Sequence, residues 1–115
     1  AQRIQEKAAN AGFDWEERAQ VWDKVKEEIS EVDAEAIAGN TEALESEFGD
    51  LFFSLVNAAR LYGITPENAL EKTNKKFIRR FSHIETETAG AGKKLNELTL
   101  AEMDKLWNEA KKLEK

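Results

Sequence analysis

Two short acidic clusters carry the side chains best suited to chemistry in this 115-residue sequence. Glu28 and Glu31 lie three residues apart in the first cluster, and Glu47 and Asp50 lie three residues apart in the second. Side chains at positions i and i+3 share one side of a helix, with Cβ atoms roughly 5–6 Å apart. If the two clusters lie on facing helices, their four carboxylates form one pocket that suits a hard divalent cation such as Mg²⁺.

The apolar pattern around the first cluster indicates that part of it faces the protein interior. Val21, Val25 and Val32 recur at spacings of four and seven residues, and Glu28 lies on the same stripe. An ionised carboxylate on a core-facing stripe is costly unless it is paired or binds a metal. For the remaining glutamates of this region we expect an ordinary solvated helix face: Glu27, Glu35, Glu42 and Glu45.

The second cluster opens a segment that is apolar on nearly every side. Residues 51–59 are mostly Leu, Phe, Val and Ala, which is typical of a buried helix. At about 100° per residue, one narrow polar strip remains on this helix. A polar strip on a buried helix needs a polar partner or ligand to face. The strip consists of Glu47, Asp50, Ser54 and Asn57.

A basic stretch further along the chain has the spacing of a phosphate-binding helix face. Lys76 and Arg80 are four residues apart, and so are Phe77 and Phe81, which we predict to face the core. An Arg fork binds phosphate oxygens in a bidentate manner, and Lys supplies a point charge. Surface ion pairs with glutamates of the same helix are an equally good interpretation of these two cations.

Lys24 and the three tryptophans each have a structural and a ligand-binding interpretation. Lys24 lies one turn before Glu28 and shares its face, so it is either an ion-pair partner or a phosphate contact. Trp15, Trp22 and Trp107 could stack on a base, but core packing is the more common role of a tryptophan.

The composition favours a small acidic protein and argues against several classes of function. A net charge of −6 disfavours binding to nucleic-acid polymers through their phosphates. The chain has no cysteine, which excludes disulfides and thiol nucleophiles, and it has no apolar run long enough to cross a membrane. We therefore predict a cytoplasmic protein without a membrane partner. With 41% apolar and 35% charged residues the core is lean, which favours completion by oligomerisation.

Sparse helix breakers predict that all these residues lie on long helices. The chain has one proline and six glycines, and no segment has a convincing strand pattern. Residues 65–67 form a helix start, Thr99 and Glu102 form a capping box, and Asp14 and Thr41 are predicted N-caps. The predicted helices span about residues 1–9, 16–38, 41–62, 66–88 and 100–113, with a flexible break at 89–92.

The acidic clusters resemble the E-E-x-x-E … E-x-x-D signature of the MazG-like, all-α nucleoside triphosphate pyrophosphohydrolases. The first part of the signature is Glu27, Glu28 and Glu31, and the second part is Glu47 and Asp50. The similarity covers nearly the whole chain and is typical of the C-terminal catalytic domain of bacterial MazG. The other segments that carry it are residues 11–15, 24–28, 49–53 and 74–81.

This resemblance implies a fold, a reaction and a set of site residues. The fold is all-α, with antiparallel helices forming a four-helix-bundle core that is completed by homodimerisation. The reaction is Mg²⁺-dependent hydrolysis of a nucleoside triphosphate between the α- and β-phosphates, giving the monophosphate and pyrophosphate. The implied metal-binding and catalytic residues are Glu28, Glu31, Glu47 and Asp50. The implied contacts to the triphosphate and nucleoside are Lys24, Lys76, Arg80 and Trp107.

The resemblance also implies that residues 1–115 are a single catalytic domain, either standing alone or as the C-terminal domain of a tandem-domain chain. Two alternatives remain open at this point. One is a related pyrophosphohydrolase with a narrow substrate, either dUTPase-like or specific for phosphoribosyl-ATP. The other is a non-enzymatic helical interaction module whose acidic side chains are only solvated.

Overall fold

The structure is a computed structural model and describes residues 1–114. The described residues fold into five α-helices. Two 3₁₀ turns, Arg18–Gln20 and Leu95–Glu97, precede the second and the last helix. No strand occurs in the described part of the chain, so the all-α prediction is confirmed. The helices are α1 (Gln2–Asn10), α2 (Val21–Ala38), α3 (Thr41–Leu61), α4 (Pro66–Gly90) and α5 (Leu100–Leu113).

The chain divides into two compact units, one covering Ala1–Pro66 and the other beginning at Glu67. The first unit contains α1, α2 and α3, and the second contains nearly all of α4 together with α5. The assignment of one catalytic domain, and of a four-helix bundle completed by a second copy, stays a prediction. None of the described helices combines the length and apolar character needed to span a membrane.

The α2–α3 hairpin is the centre of the first unit. Gly39 ends α2 in the left-handed conformation (φ 77°), which glycine adopts without a Cβ penalty. The amide oxygen of Asn40 then accepts a hydrogen bond from Ala43 N (3.1 Å) and caps α3. The short turn therefore returns the chain directly, and the two helices pack side by side. The predicted cap at Thr41 is wrong by one residue, because the Asn40 side chain reaches the amide first.

A small apolar cluster holds the hairpin together. Val21 and Val25 of α2 pack with Ala58 of α3, and all three are buried, with Leu51 and Leu61 packed around them. The apolar stripe predicted for α2 is therefore present, and Glu28 is buried on it. The same core places the acidic residues of α2 beside those of α3.

The start of α2 differs from the prediction. The sequence predicts a helix from about residue 16 with Asp14 as its cap, but α2 begins at Val21. Residues 17–20 instead form a 3₁₀ turn closed by a capping box between Glu17 and Gln20. The Asp14 carboxylate accepts two hydrogen bonds from Arg60 (2.7 and 3.2 Å), so a long-range ion pair replaces the predicted cap.

The predicted burial of α3 is wrong within the described chain. Ser54 and Ala58 are the residues of α3 that are buried, whereas Phe52 is 60% exposed and Phe48 is also exposed. The reason is that α2 and α1 cover only part of the circumference of α3. The rings of Phe48 and Phe52 lie 5.9 Å apart on an uncovered face.

The second unit confirms one prediction and differs from two others. Thr99 and Glu102 form the predicted capping box at the start of α5. Phe77 and Phe81 do not face a core, because both are exposed and stack on each other (6.2 Å between ring centroids). Trp107 of α5 packs against Phe77 at 5.2 Å. Helix α4 also continues to Gly90, two residues beyond the predicted end.

Replacing Val25 by Ala tests the importance of the hairpin core. The change removes two buried methyl groups, and the higher helix propensity of Ala offsets only part of the loss. We therefore expect the free energy of unfolding to fall by about 1.5 kcal/mol. Urea denaturation measures this loss. Asp33→Ala on an exposed position of the same helix is the control, with an expected change within about 0.5 kcal/mol. Equal losses in the two variants would contradict the assigned core.

Candidate functional site

Three of the four predicted acidic ligands converge at the α2–α3 hairpin. Glu28 of α2 and Glu47 and Asp50 of α3 each offer a carboxylate oxygen, and these oxygens lie within 4.8 Å of one another. Such a separation allows one cation to contact several of the oxygens. The hairpin therefore joins acidic residues that are about 20 positions apart in the sequence.

The burial of Glu28 gives this cluster its electrostatic character. Glu28 is 3% exposed, and its Oε1 accepts a hydrogen bond from the Lys24 ammonium at 2.8 Å. Its other oxygen is buried and has no hydrogen-bond partner in the described chain, and the same is true of Glu47 Oε2. Because buried polar atoms nearly always have partners, these two oxygens are the atoms of the cluster best suited to accept a donor or a cation.

Glu31, the fourth predicted ligand, lies against the same cluster. A hydrogen bond with Glu47, the negative charge of Glu28 and partial burial together raise the pKa of Glu31 to about 7. One proton shared between two neighbouring carboxylates relieves their repulsion. A cation can replace that proton, since it neutralises the same negative charge.

The donor set fits a hard divalent cation. All four side chains offer carboxylate oxygens, which Mg²⁺ prefers, and no sulfur or imidazole belongs to the cluster. Two of the oxygens are buried and unpaired, as described above. The residues present therefore fit Mg²⁺.

Lys24 is the positive charge at the edge of the acidic cluster. The hydrogen bond from Lys24 to Glu28 raises the pKa of the lysine, and Glu27 lies 3.5 Å from the same ammonium. The ion-pair interpretation of Lys24 thus describes the structure. Its side chain is still 43% exposed, so the ammonium is also accessible to a phosphate.

A cavity of about 690 Å³ opens beside the acidic cluster within the first unit. This volume is in the usual range of small-molecule pockets. Glu28, Asp50 and Lys24 line one part of it, and Ser54 and Asn57 continue the polar strip predicted for α3. The rest is lined by α1, the connector at residues 11–17, the first residue of α2 and the C-terminal half of α3, through Ile4, Gln5, Ala8, Phe13, Asp14, Trp15, Val21, Phe53 and Arg60.

The predicted phosphate contacts Lys76 and Arg80 belong to the second unit, as does Trp107. The Arg80 guanidinium donates two hydrogen bonds to the Glu114 carboxylate (2.9 and 3.1 Å) and lies 5.3 Å from the Trp107 ring. The hydrogen bonding from Arg80, together with its positive charge, lowers the pKa of Glu114. Arg80 and Trp107 are thus brought together, but the Arg80 fork is bound to Glu114, which directly follows α5, rather than to a glutamate of its own helix.

Two lining residues of the cavity are not apparent from sequence reasoning. Gln5 is buried on α1 between the cavity-lining residues Ile4 and Ala8, and Arg60 is tied to Asp14 across 46 positions. A polar residue on the apolar side of a helix is the signal that could have identified Gln5. No local pattern predicts the partner of Arg60, because that contact exists only in the folded chain.

Comparison with known proteins shows which family and which proteins this chain is similar to in sequence. The sequence profile of the MazG nucleotide pyrophosphohydrolase domain matches residues 10–85. The nucleoside triphosphate pyrophosphohydrolase/pyrophosphatase MazG of Thermotoga maritima is 41% identical over 111 residues, which cover 96% of this chain and 42% of that protein. The nucleoside triphosphate pyrophosphohydrolase of Escherichia coli K12 is 43% identical over 116 residues, covering 99% and 44%. The chain thus spans less than half the length of these relatives.

The raised pKa of Glu31 predicts a pH dependence of stability in metal-free protein. The folded chain keeps a proton up to about pH 7 that the unfolded chain releases near the ordinary value of 4.5. Stability from this group is therefore present below pH 4.5 and is lost as the pH rises towards 7. The Gln side chain of Glu31→Gln does not titrate, so this variant does not lose that stability. In EDTA, the difference in melting temperature between Glu31→Gln and the parent protein should therefore shift in favour of the variant as the pH rises from 4.5 to 7.

Glu27→Gln is the matched control for this measurement, because Glu27 is an exposed carboxylate on the same helix. Its melting temperature should follow the parent protein from pH 4.5 to 7.5. Parallel curves for Glu31→Gln and the parent protein would show that Glu31 does not hold the proton.

Proposed function

The chain belongs to the MazG nucleotide pyrophosphohydrolase domain family, and on this basis we propose that it hydrolyses nucleoside triphosphates between the α- and β-phosphates. The products are a nucleoside monophosphate and pyrophosphate. One observation carries the proposal: three carboxylates converge within 4.8 Å beside a cavity, with two buried oxygens left without partners. Such a cluster suits a metal-bound polyphosphate far better than a solvated surface.

Glu28, Glu31, Glu47 and Asp50 would hold Mg²⁺ in this proposal. When bound there, Mg²⁺ neutralises phosphate charge and polarises the phosphorus that is attacked. The chain's own contribution is to keep the four carboxylates on two packed helices, so that the site needs little reorganisation. Lys24 adds a positive charge beside Glu28, which offsets the excess of carboxylates before substrate binds.

The hydrolysis itself needs no covalent intermediate. A water oxygen would attack phosphorus in line, the bond between that phosphorus and the oxygen bridging the α- and β-phosphates would break, and pyrophosphate would leave with the bridging oxygen. The water would lose a proton, and in this proposal a carboxylate of the cluster accepts it. Lys76, Arg80 and Trp107 stay proposed contacts of the triphosphate and nucleoside, and a phosphate that binds Arg80 must displace Glu114.

Two properties of the proposal go beyond the family assignment. Dependence on Mg²⁺ follows from the all-oxygen donor set. A homodimer follows from the exposed aromatic face of α3, where Phe48 and Phe52 would otherwise remain in water.

Product analysis tests the reaction. Incubation with a panel of nucleoside triphosphates and Mg²⁺, followed by separation of the phosphorus products, should give monophosphate and intact pyrophosphate. Glu28→Gln should lower turnover by roughly 100-fold or more, because it removes a buried ligand. Glu27→Gln, an exposed neighbour, should retain activity.

Other products would contradict specific parts of the proposal. Nucleoside diphosphate with inorganic phosphate would mean cleavage of the other bond. Full turnover by folded Glu28→Gln would exclude this cluster as the site. Hydrolysis of a single member of the panel would favour a narrow-substrate relative such as a dUTPase-like enzyme.

Thermal denaturation with Mg²⁺ distinguishes the enzyme from a helical interaction module. A cation that binds only the folded state stabilises it by about 2.7 kcal/mol at 100 times its dissociation constant, so the melting temperature should rise with Mg²⁺ concentration. Glu47→Gln should abolish most of this rise, whereas Glu45→Gln, an exposed position on the same helix, should not. If the melting temperature of the parent protein does not change with Mg²⁺ concentration, the result would favour the interaction module.

A further inference from the structure

Arg80 and Glu114 form a bidentate ion pair within the second unit. Arg80 Nε donates a hydrogen bond to Glu114 Oε1 at 3.1 Å, and Arg80 Nη2 donates one to Glu114 Oε2 at 2.9 Å. These two bonds use one edge of the guanidinium, which is also the geometry in which arginine binds a phosphate. The Arg80 side chain is only 16% exposed, so little of its remaining surface is open to a ligand. The carboxylate therefore occupies the group that the proposed function assigns to the triphosphate.

Glu114 also faces the other cations of the basic stretch. The Arg79 guanidinium lies 3.9 Å from Glu114 Oε1. Hydrogen bonding from Arg80, together with the positive charges of Arg80, Arg79 and Lys76, lowers the pKa of the Glu114 carboxyl, which is thus ionised at neutral pH. One negative group among three cations has the surroundings that a phosphate group needs. The carboxylate of Glu114 therefore resembles a bound phosphate in both geometry and charge.

Glu114 can leave Arg80 without any unwinding of α5. The helix ends at Leu113, and the backbone of Glu114 is already extended (φ −76°, ψ 136°). Helix α5 keeps another contact with α4 when Glu114 moves, because Trp107 packs on Phe77 at 5.2 Å. A rotation of the Glu114 side chain is therefore enough to free the guanidinium edge.

Trp107 supports the guanidinium independently of Glu114. Arg80 Cζ lies 5.3 Å from the centroid of the Trp107 ring, within the range of a cation–π interaction. The Trp107 ring is held in turn by Phe77. Departure of Glu114 thus leaves a guanidinium on an aromatic support, with a free edge for another anion that has two oxygens to offer.

We propose that Glu114 is an internal competitor of the substrate's phosphates: its carboxylate holds Arg80 in the free protein and is displaced when a triphosphate binds. This inference rests on the proposed function, in which Arg80 contacts the triphosphate, and it adds a regulation of that contact. Pyrophosphate, the second product, meets the same competitor, so the return of Glu114 to Arg80 favours its release.

Glu114→Gln tests the proposal, because it keeps the shape of the side chain and removes its negative charge. For the best triphosphate of the panel above, KM should fall about fivefold to tenfold while kcat changes by less than about twofold. The reason is that the ion pair is lost from the free protein and is already broken in the substrate complex. Calorimetric titration with pyrophosphate and Mg²⁺ should show a matching fall in Kd. A carboxylate that merely positions Arg80 for the phosphate would give the opposite result, a rise in KM and Kd.

Three further variants show whether the effect belongs to this ion pair. Asp104→Asn removes the same charge from an exposed position of α5 and should leave KM and Kd within about twofold of the parent values. Arg80→Gln should weaken pyrophosphate binding, and adding Glu114→Gln to it should restore less than about twofold. Glu114→Ala repeats the test with the side chain removed, and its KM and Kd should fall as in Glu114→Gln.

The outcomes separate this inference from the proposed function. Turnover with unchanged or higher KM and Kd in both Glu114 variants would overturn the competitor and leave the reaction intact. An equal gain from Asp104→Asn would overturn it too, because net charge alone would then explain the effect. Tighter pyrophosphate binding by Glu114→Gln without turnover in any variant would support the competitor and reject the reaction. Neither binding nor turnover in any of these proteins would reject both.

Discussion

The burial of the Glu28 carboxylate is the constraint on which the rest of the first unit depends. A carboxylate that is 3% exposed, on the same stripe as Val21 and Val25, is stable only if neighbouring groups compensate its charge. Lys24 compensates one oxygen, and the proton shared by Glu31 and Glu47 limits the remaining repulsion. The α2–α3 core thus holds the Glu28 carboxylate in a buried environment that destabilises its negative charge. In such an environment the electrostatic attraction between a carboxylate and a cation is also stronger than in water.

The same hairpin provides the rest of the cavity. The polar strip of α3 continues from Asp50 through Ser54 to Asn57, so that one helix face lines both the acidic cluster and the cavity beside it. Helix α1 covers the other side, and the Gln5–Phe53 hydrogen bond fixes its position. Rigid elements supply nearly every polar group, and only the aromatic connector lies outside regular secondary structure.

Local sequence signals predicted the parts of the structure that depend on local physics. The helices, the Thr99–Glu102 box and the convergence of Glu28, Glu47 and Asp50 agree with the spacing and capping signals of the sequence. The misses share a different cause. Asp14 caps nothing because Arg60, 46 positions away, binds it, and α3 is exposed because its neighbours cover only part of it. Gln5 shows the same limit, since only the fold reveals that its oxygen lacks a donor.

The Asp14–Arg60 ion pair has a consequence for the order in which the protein assembles. Helices α2 and α3 meet through a two-residue turn, so their contact closes a short loop, whereas Asp14 reaches Arg60 only after a 46-residue loop has closed. Loop closure becomes more costly with length, so the hairpin forms without waiting for the connector. Residues 11–17 are all exposed, so we expect loss of this one ion pair to open the connector while the buried α2–α3 core keeps the acidic cluster folded. The connector and the acidic cluster thus belong to regions of different local stability, and we expect hydrogen exchange to be faster in the 11–17 connector than in the hairpin.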